Sequence, residues 1–258
     1  MLGAIIGDMV GSPFEFANTK NPFFPLFSKS SSFTDDSVCT VAVADAILRG
    51  EEDFSQSLRR WCGFYPNPMG GYGASFLAWL RDPAAGPYFS YGNGAAMRVS
   101  PCGFARTEEE AIRLALASAS CTHNHPEGLI GAMVVSMMVH RLRTCSKTDA
   151  MAECEQIMCR FYGVKWEASL PPRGFFDETC QGCVPLAFSL LRKSHDFEDA
   201  IRRAVLYGGD SDTLAAIVGA LAEARFGIPS GIKEEALSRL PNDMLKVVVE
   251  FYKNFGYE

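Results

Sequence analysis

Two short acidic clusters, far apart in the chain, hold the residue types best able to do chemistry. They are Thr34-Asp35-Asp36 and Asp210-Ser211-Asp212-Thr213, the second preceded by Gly208-Gly209. Carboxylates this close repel one another unless a cation holds them together. Carboxylate plus hydroxyl is a hard oxygen donor set, which suits Mg²⁺ or Mn²⁺ rather than zinc. Each cluster opens an apolar run, which places it at the start of a helix, where Asp and Thr also serve as N-caps. Capping and metal binding each account for either cluster alone. Finding both in one helical chain favours metal, and if the fold brings them together they form a two-cation site.

Other residues could line such a site. Gly3, Gly7 and Gly11 fall on one face of a first helix and permit close helix approach, with Glu15 in the loop beyond. A loop Glu is ordinarily solvated. Ser90-Tyr91-Gly92-Asn93-Gly94 exposes backbone N–H groups before a segment that can turn helical, an arrangement that suits phosphate, although Gly-Asn-Gly is also simply a good turn. Gly70-Gly71-Tyr72-Gly73 is a similar loop. Thr122-His123-Asn124-His125-Pro126 carries two of the four histidines, and a cap before Pro126 is the plainer role than zinc. Cys180-x-x-Cys183 lacks a partner pair, and His195-Asp196 reads as a helix cap.

The elements that must position these groups are helical almost throughout. Leu2, Ile5, Ile6, Met9 and Val10 recur at helix spacing. A second helix is predicted from 34 to about 48, ended by Gly50. Further helices are predicted over 54–64, 75–80, 107–120, 126–143, 148–162, 179–192, 196–207, 211–226, 233–240 and 242–255, with Thr107 and Glu110 as a capping-box pair. Alternating strands are not evident. The loops 12–33, 65–73, 84–103 and 169–176 are rich in Gly, Pro and Ser, and are the places to look for function. The expectation is a single all-α domain over 1–258.

Composition narrows the classes. At 258 residues the chain can bury a large core, and 48% hydrophobic with 21% charged residues is ordinary for a globular protein. A net charge of -6 without a Lys/Arg run argues against general nucleic-acid or membrane-surface binding. Nine cysteines without regular spacing point to reduced thiols and a cytoplasmic setting. The start meets Asp8 too early for a signal peptide, and the apolar stretch 128–139 is too short to cross a bilayer. A monomer is expected, since no heptad or long apolar face stands out.

Taken in order, these pieces resemble the ADP-ribosylglycohydrolase family, which includes the dinitrogenase-reductase-activating glycohydrolase. The resemblance runs through Gly3 to Asp8 with Gly11 and Glu15, Phe33 to Ser37, Gly71 to Gly73, Gly92 to Arg98, Thr122-His123 and Gly208 to Thr213. It implies an orthogonal helical bundle with a binuclear Mg²⁺ or Mn²⁺ centre in a cleft. By that analogy Thr34, Asp35 and Asp36 hold one cation, Asp210 and Thr213 the other, and Asp212 bridges. Ser90, Tyr91, Gly92, Asn93 and Gly94 would cradle a diphosphate, with Met97 following, while Gly71, Tyr72, Gly73 and His123 line the ribose and phosphate path. Tyr91 would stack on the nucleotide. Asp36, Asp35 or Glu15 would act as the catalytic acid or base. The segment 169–183 carries no motif that the resemblance places, though Phe175, Phe176 and Cys183 could neighbour adenosine.

The activity so implied is metal-dependent release of ADP-ribose from a protein side chain, arginine favoured. Serine, nucleobase, polymer and O-acetyl-ADP-ribose conjugates are the alternative substrates. An all-α isoprenoid diphosphate synthase also uses aspartates and Mg²⁺, but wants Asp-x-x-x-Asp spacing that Asp35-Asp36-Ser37-Val38-Cys39 lacks. A non-catalytic binding protein of the same fold would have no need of intact acids in both clusters.

Overall fold

The computed structural model describes residues 1–256 and is all-α. The helices are α1 (Leu2–Gly11), α2 (Asp35–Arg49), α3 (Phe54–Phe64), α4 (Ala74–Arg81), α5 (Gly94–Met97), α6 (Glu108–Ser120) and α7 (Pro126–Thr144). They continue as α8 (Lys147–Tyr162), α9 (Cys180–Arg192), α10 (Phe197–Tyr207), α11 (Ser211–Phe226), α12 (Ser230–Arg239) and α13 (Asn242–Phe255). No strand forms among the described residues, only isolated bridges between Thr34 and Met69 and between Gly92 and Thr179.

Most predicted helices lie within a residue or two of where the apolar spacing puts them. The larger departures have local causes. The helix expected over 233–240 starts earlier, at Ser230, because Pro229 takes the N-cap position and its carbonyl accepts Lys233 N at 3.0 Å. Gly94–Met97 and the 3-10 turns at Ser12–Phe14, Ser100–Phe104 and Trp166–Ser169 are too short to carry a hydrophobic period. Helix ends follow ordinary capping chemistry. Thr34, Asp53, Thr107, Thr179 and Asp196 each accept a backbone N–H of the first turn, and Gly50 closes α2 in the left-handed region at φ 65°. His125 caps α7 through Glu127 N, the plain role expected of it.

The helices that matter most for the site are α1 and α11. Every residue of α1 is buried, as is α11 from Ser211 through Ala222. The two pack backbone to backbone along the glycine face of α1. A Cβ added at Gly3 would lie 2.2 Å from the Gly219 carbonyl oxygen, one at Gly7 1.9 Å from that of Ala215, and one at Gly11 2.5 Å from the Asp212 Cα. One continuous hydrophobic cluster, from Met1 to Phe251, surrounds this pair. The crossing sets where the second acidic cluster begins, because that cluster is the first turn of α11.

Candidate active site

The two acidic clusters meet. The Thr213 hydroxyl donates to Asp36 Oδ2 at 3.2 Å, across 177 positions of sequence. Asp36, Asp210, Asp212 and Thr213 are all buried, and Thr34 is completely so. Around them opens a cleft of about 800 Å³. Its wall takes in the residues proposed from the sequence except Thr34 and Cys183, both buried: Glu15, Asp35 and Asp36, then Gly71, Tyr72 and Gly73, then Ser90 through Gly94 with Met97 and His123, then Phe175 and Phe176, and finally Asp210, Asp212 and Thr213.

The two clusters differ in the alternative that capping offered. Thr34 is a true N-cap, its hydroxyl accepting Asp36 N at 3.2 Å. Asp210 makes no cap bond, although it holds the N-cap position of α11. Its carboxylate accepts instead from Asn93 Nδ2 at 2.6 Å. The sharp bend before it needs Gly208 and Gly209, at φ 79° and 86°, and a Cβ at Gly209 would strike the Phe175 carbonyl oxygen at 2.2 Å. Asn18, in the turn after Glu15, ties this bend down by donating to Gly209 O and accepting from Gly209 N.

Electrostatically the site is starved of positive charge. Burial, and then the neighbouring carboxylates, push Asp35, Asp36 and Asp212 well above the usual carboxylate range. Glu15 is pushed up to about 7, by burial and then by Asp210, Asp8 and Glu178. Buried atoms Asp8 Oδ1, Asp36 Oδ1 and Asp212 Oδ1 have no hydrogen-bond partner. Burying anionic oxygens without partners is costly. Among the described residues no three His, Cys, Asp or Glu side chains are grouped so as to hold a metal ion by themselves. The fit to a hard divalent cation therefore rests on donor chemistry: unpartnered carboxylate oxygens beside the hydroxyls of Thr34 and Thr213.

The glycine loop is built differently from the sequence expectation. Gly92 N donates to Ser90 Oγ at 3.1 Å and Asn93 N to Glu178 O at 2.7 Å, so these two N–H groups are engaged within the protein. The loop is stitched to 178–180 as an isolated antiparallel bridge, a long-range pairing that no local pattern announces. His123 packs under it, its Nε2 3.0 Å from where a Cβ on Gly94 would sit. Burial and then the Arg98 charge hold the His123 imidazole well below its usual range, so it is neutral. Arg98 itself is spent on Ser118 O and Thr122 Oγ1.

Phe16, Asp177 and Glu178 line the cleft and escaped the sequence reading. Phe16 stacks on Phe176 with centroids 6.0 Å apart, and with Phe175 the pair forms an aromatic wall beside Glu15. Phe175 and Phe176 thus line the cleft, whereas Cys183 is buried behind Asn93. Asp177 and Glu178 add further acid. Asp8, fully buried, bonds the turn that carries the first cluster. The sequence signals for it were its place directly after Gly7 on an otherwise apolar helix and its closing of the Gly3-to-Asp8 stretch, which assigned it no role.

The sequence model of the ADP-ribosylglycohydrolase family matches residues 1–256. The chain belongs to this family. It is accordingly a hydrolase acting on ADP-ribosyl bonds. Among its relatives, the ADP-ribosyl-[dinitrogen reductase] glycohydrolase of Rhodospirillum rubrum is 26% identical, over 89% of this chain and 86% of the relative. The ADP-ribosylarginine hydrolase Tri1 of Pseudomonas putida is 24% identical, over 93% and 72%. The human ADP-ribosylhydrolase ARH3 is 26% identical over only 54% of this chain and 48% of its own. A solved ADP-ribosylglycohydrolase-related protein complex has the same fold, with a TM-score of 0.73 at 24% identity, covering 99% of this chain and 96% of that one. Among the described residues no helix is long and apolar enough to cross a membrane.

Proposed function

We propose that this family member, acting as one domain over its whole length, releases ADP-ribose from ADP-ribosylated arginine on proteins. The observation that carries the reading is the meeting of Asp36 with Thr213 among unpartnered buried carboxylate oxygens in a single cleft. Two relatives matching most of the chain are named for arginine and dinitrogen-reductase substrates, although the ARH3 of Danio rerio also matches 89% of it. The acid-lined cleft also favours a cationic guanidinium acceptor over a neutral one.

Thr34, Asp35 and Asp36 would hold one Mg²⁺ or Mn²⁺ ion and Asp210 and Thr213 the second, with Asp212 shared between them. When bound, the cations neutralise the carboxylates, orient ribose hydroxyls and acidify water. The bond broken joins the anomeric carbon of the distal ribose to a guanidino nitrogen, and it passes through an oxocarbenium-like state. Water adds at that carbon as the bond to nitrogen breaks; its proton goes to Glu15 or Asp36 and is passed on to the leaving guanidino nitrogen. Glu15, held near 7 by burial and its acidic neighbours, is poised to exchange a proton close to neutral pH.

The remaining wall residues bind and orient. Ser90 to Gly94 form the floor for the diphosphate, and the neutral His123 offers a hydrogen bond without adding charge. Tyr91, half exposed at the cleft mouth, can stack on a base. Gly71 to Gly73 and Tyr72 close the ribose side, where Tyr72 is fixed through its hydroxyl to Tyr65 O at 2.7 Å. Nine free cysteines agree with a reducing, cytoplasmic compartment, and we take the enzyme to act as a monomer.

The test is a substrate panel. ADP-ribosyl-arginine and ADP-ribosyl-serine peptides are incubated with Mg²⁺, with Mn²⁺ or with EDTA, and free ADP-ribose is followed. Metal-dependent release from arginine is expected, and Asp36→Ala or Asp212→Ala should abolish it. Release from serine alone would replace the acceptor, and undiminished turnover by both variants would remove the site.

A further inference from the structure

We propose that Asp8 is a positioning residue: its carboxylate locks the turn bearing Thr34, Asp35 and Asp36 onto α1, and thereby sets that cluster against α11. This rests on the reading of the two clusters as one cation site.

The first turn of a helix leaves backbone N–H groups without intrahelical partners. In a capping box, the N-cap side chain serves one of them and a Glu or Gln at the third helical position reaches back to the N-cap N–H. At the start of α2 the N-cap is Thr34, and the third position is Ser37, which is too short to reach back. Asp8, from another helix, takes over. Its Oδ2 accepts Thr34 N at 2.9 Å, Ser37 N at 3.0 Å and the Ser37 hydroxyl. All three bonds are buried. Three donors converging on one oxygen call for an acceptor-only group, and a charged acceptor makes the stronger bonds.

Asp8 follows Gly7, the point where α1 meets the α11 backbone most closely. The same short stretch of α1 therefore grips α11 with one face and the Thr34–Ser37 turn with another. The two acidic clusters lie 174 positions apart in the chain, from Asp36 to Asp210, and what joins them through α1 is Gly7 packing on one side and Asp8 bonding on the other. An acid in this place is otherwise hard to explain. Burial raises the Asp8 carboxyl to about 6 even with its hydrogen bonds, and its charge adds to the repulsion on Asp35, Asp36 and Asp212.

The experiment compares Asp8→Ala with Asp8→Asn. Both remove the charge, but only Asn keeps an acceptor oxygen for the turn. Mg²⁺ binding to the metal-free protein is measured by calorimetry, and turnover is followed against Mg²⁺ concentration. Asp8→Asn should bind Mg²⁺ at least fivefold more tightly than Asp8→Ala, and added Mg²⁺ should restore more of its turnover. Equal affinities in the two variants would overturn the proposal in favour of a pure charge effect. Wild-type affinity in Asp8→Ala would overturn it as well. If Asp8→Ala does not fold, Ser37→Ala deletes one donor while leaving every charge in place. About threefold weaker Mg²⁺ binding is then expected, and no change would count against the clamp. Loss of hydrolysis from every conjugate by wild type with Mg²⁺ binding intact would fault the proposed reaction and leave Asp8's role standing.

Discussion

Gly7→Ala is the sharpest test of how the site is held together. On an isolated helix the change would stabilise by about 1 kcal/mol, through helix propensity alone. Here the new methyl would sit 1.9 Å from the Ala215 carbonyl oxygen and 2.3 Å from its carbon. Ordinary contact begins at 3.4 Å, so α1 and α11 would have to part by about 1.5 Å. The obstacle is backbone, and no rotamer change relieves it. Overpacking costs about 1–3 kcal/mol where side chains can give, and this site belongs at or beyond the upper end. After the propensity gain, a net loss of about 2 kcal/mol or more remains, which for a chain this size lowers Tm by roughly 4–8 °C. Gly63→Ala in α3 is the matched control, because a Cβ there meets nothing within 4 Å. It should raise Tm by up to about 4 °C. Thermal melts by circular dichroism read both. A Gly7→Ala protein melting at or above wild type would refute the backbone-contact reading. Because the displaced helix carries Asp212 and Thr213 in its first turn, the surviving folded fraction should also bind Mg²⁺ more weakly.

Three further outcomes are expected. Saturating Mg²⁺, at about a hundred times its dissociation constant, should stabilise the protein by about 2.7 kcal/mol, seen as a Tm rise that EDTA reverses. Asp45 is buried, which alone would raise its carboxyl, but bonds from Trp61, Arg49 and Arg60 outweigh this and hold it below the usual range. Its stabilising effect is thus complete above the unfolded carboxylate range and is lost as pH falls through the folded value; Asp45→Asn should cost about 1–3 kcal/mol at pH 7 and flatten the acid limb of urea midpoints taken from pH 3 to 7. Asn93→Asp would face the Asp210 carboxylate across the present 2.6 Å contact, so the metal-free variant should lose stability progressively as pH rises above the carboxylate range, whereas Asn93→Ala should show a loss without that slope.

Local chemistry made much of this protein legible in the chain. Apolar spacing marks α3, α10 and α13, because burial of one helix face imposes a period that tertiary contacts only reinforce. Thr34 and Thr107 mark helix starts because a hydroxyl one step before a turn meets its free N–H groups whatever the rest of the fold does. Gly3, Gly7 and Gly11 announce a close helix crossing, and Gly208-Gly209 a bend open only to glycine. The donor types of the acidic clusters point to a hard cation from composition alone.

Which partners these groups find was a matter for the folded chain. Nothing near Asp210 in sequence indicates that Asn93 will bond it, or that Glu178 will take the Asn93 N–H from the phosphate-binding role expected of it. Phe16 gives no local sign that it will meet Phe176, and Glu15 looks like a solvated loop acid until the fold half-buries it among carboxylates. Helix propensity and capping are short-range, set by atoms within a turn or two, so one strand of sequence suffices to read them. Desolvation and charge coupling depend on neighbours brought in from distant segments, and only the packing of α1 against α11 and α2 creates them.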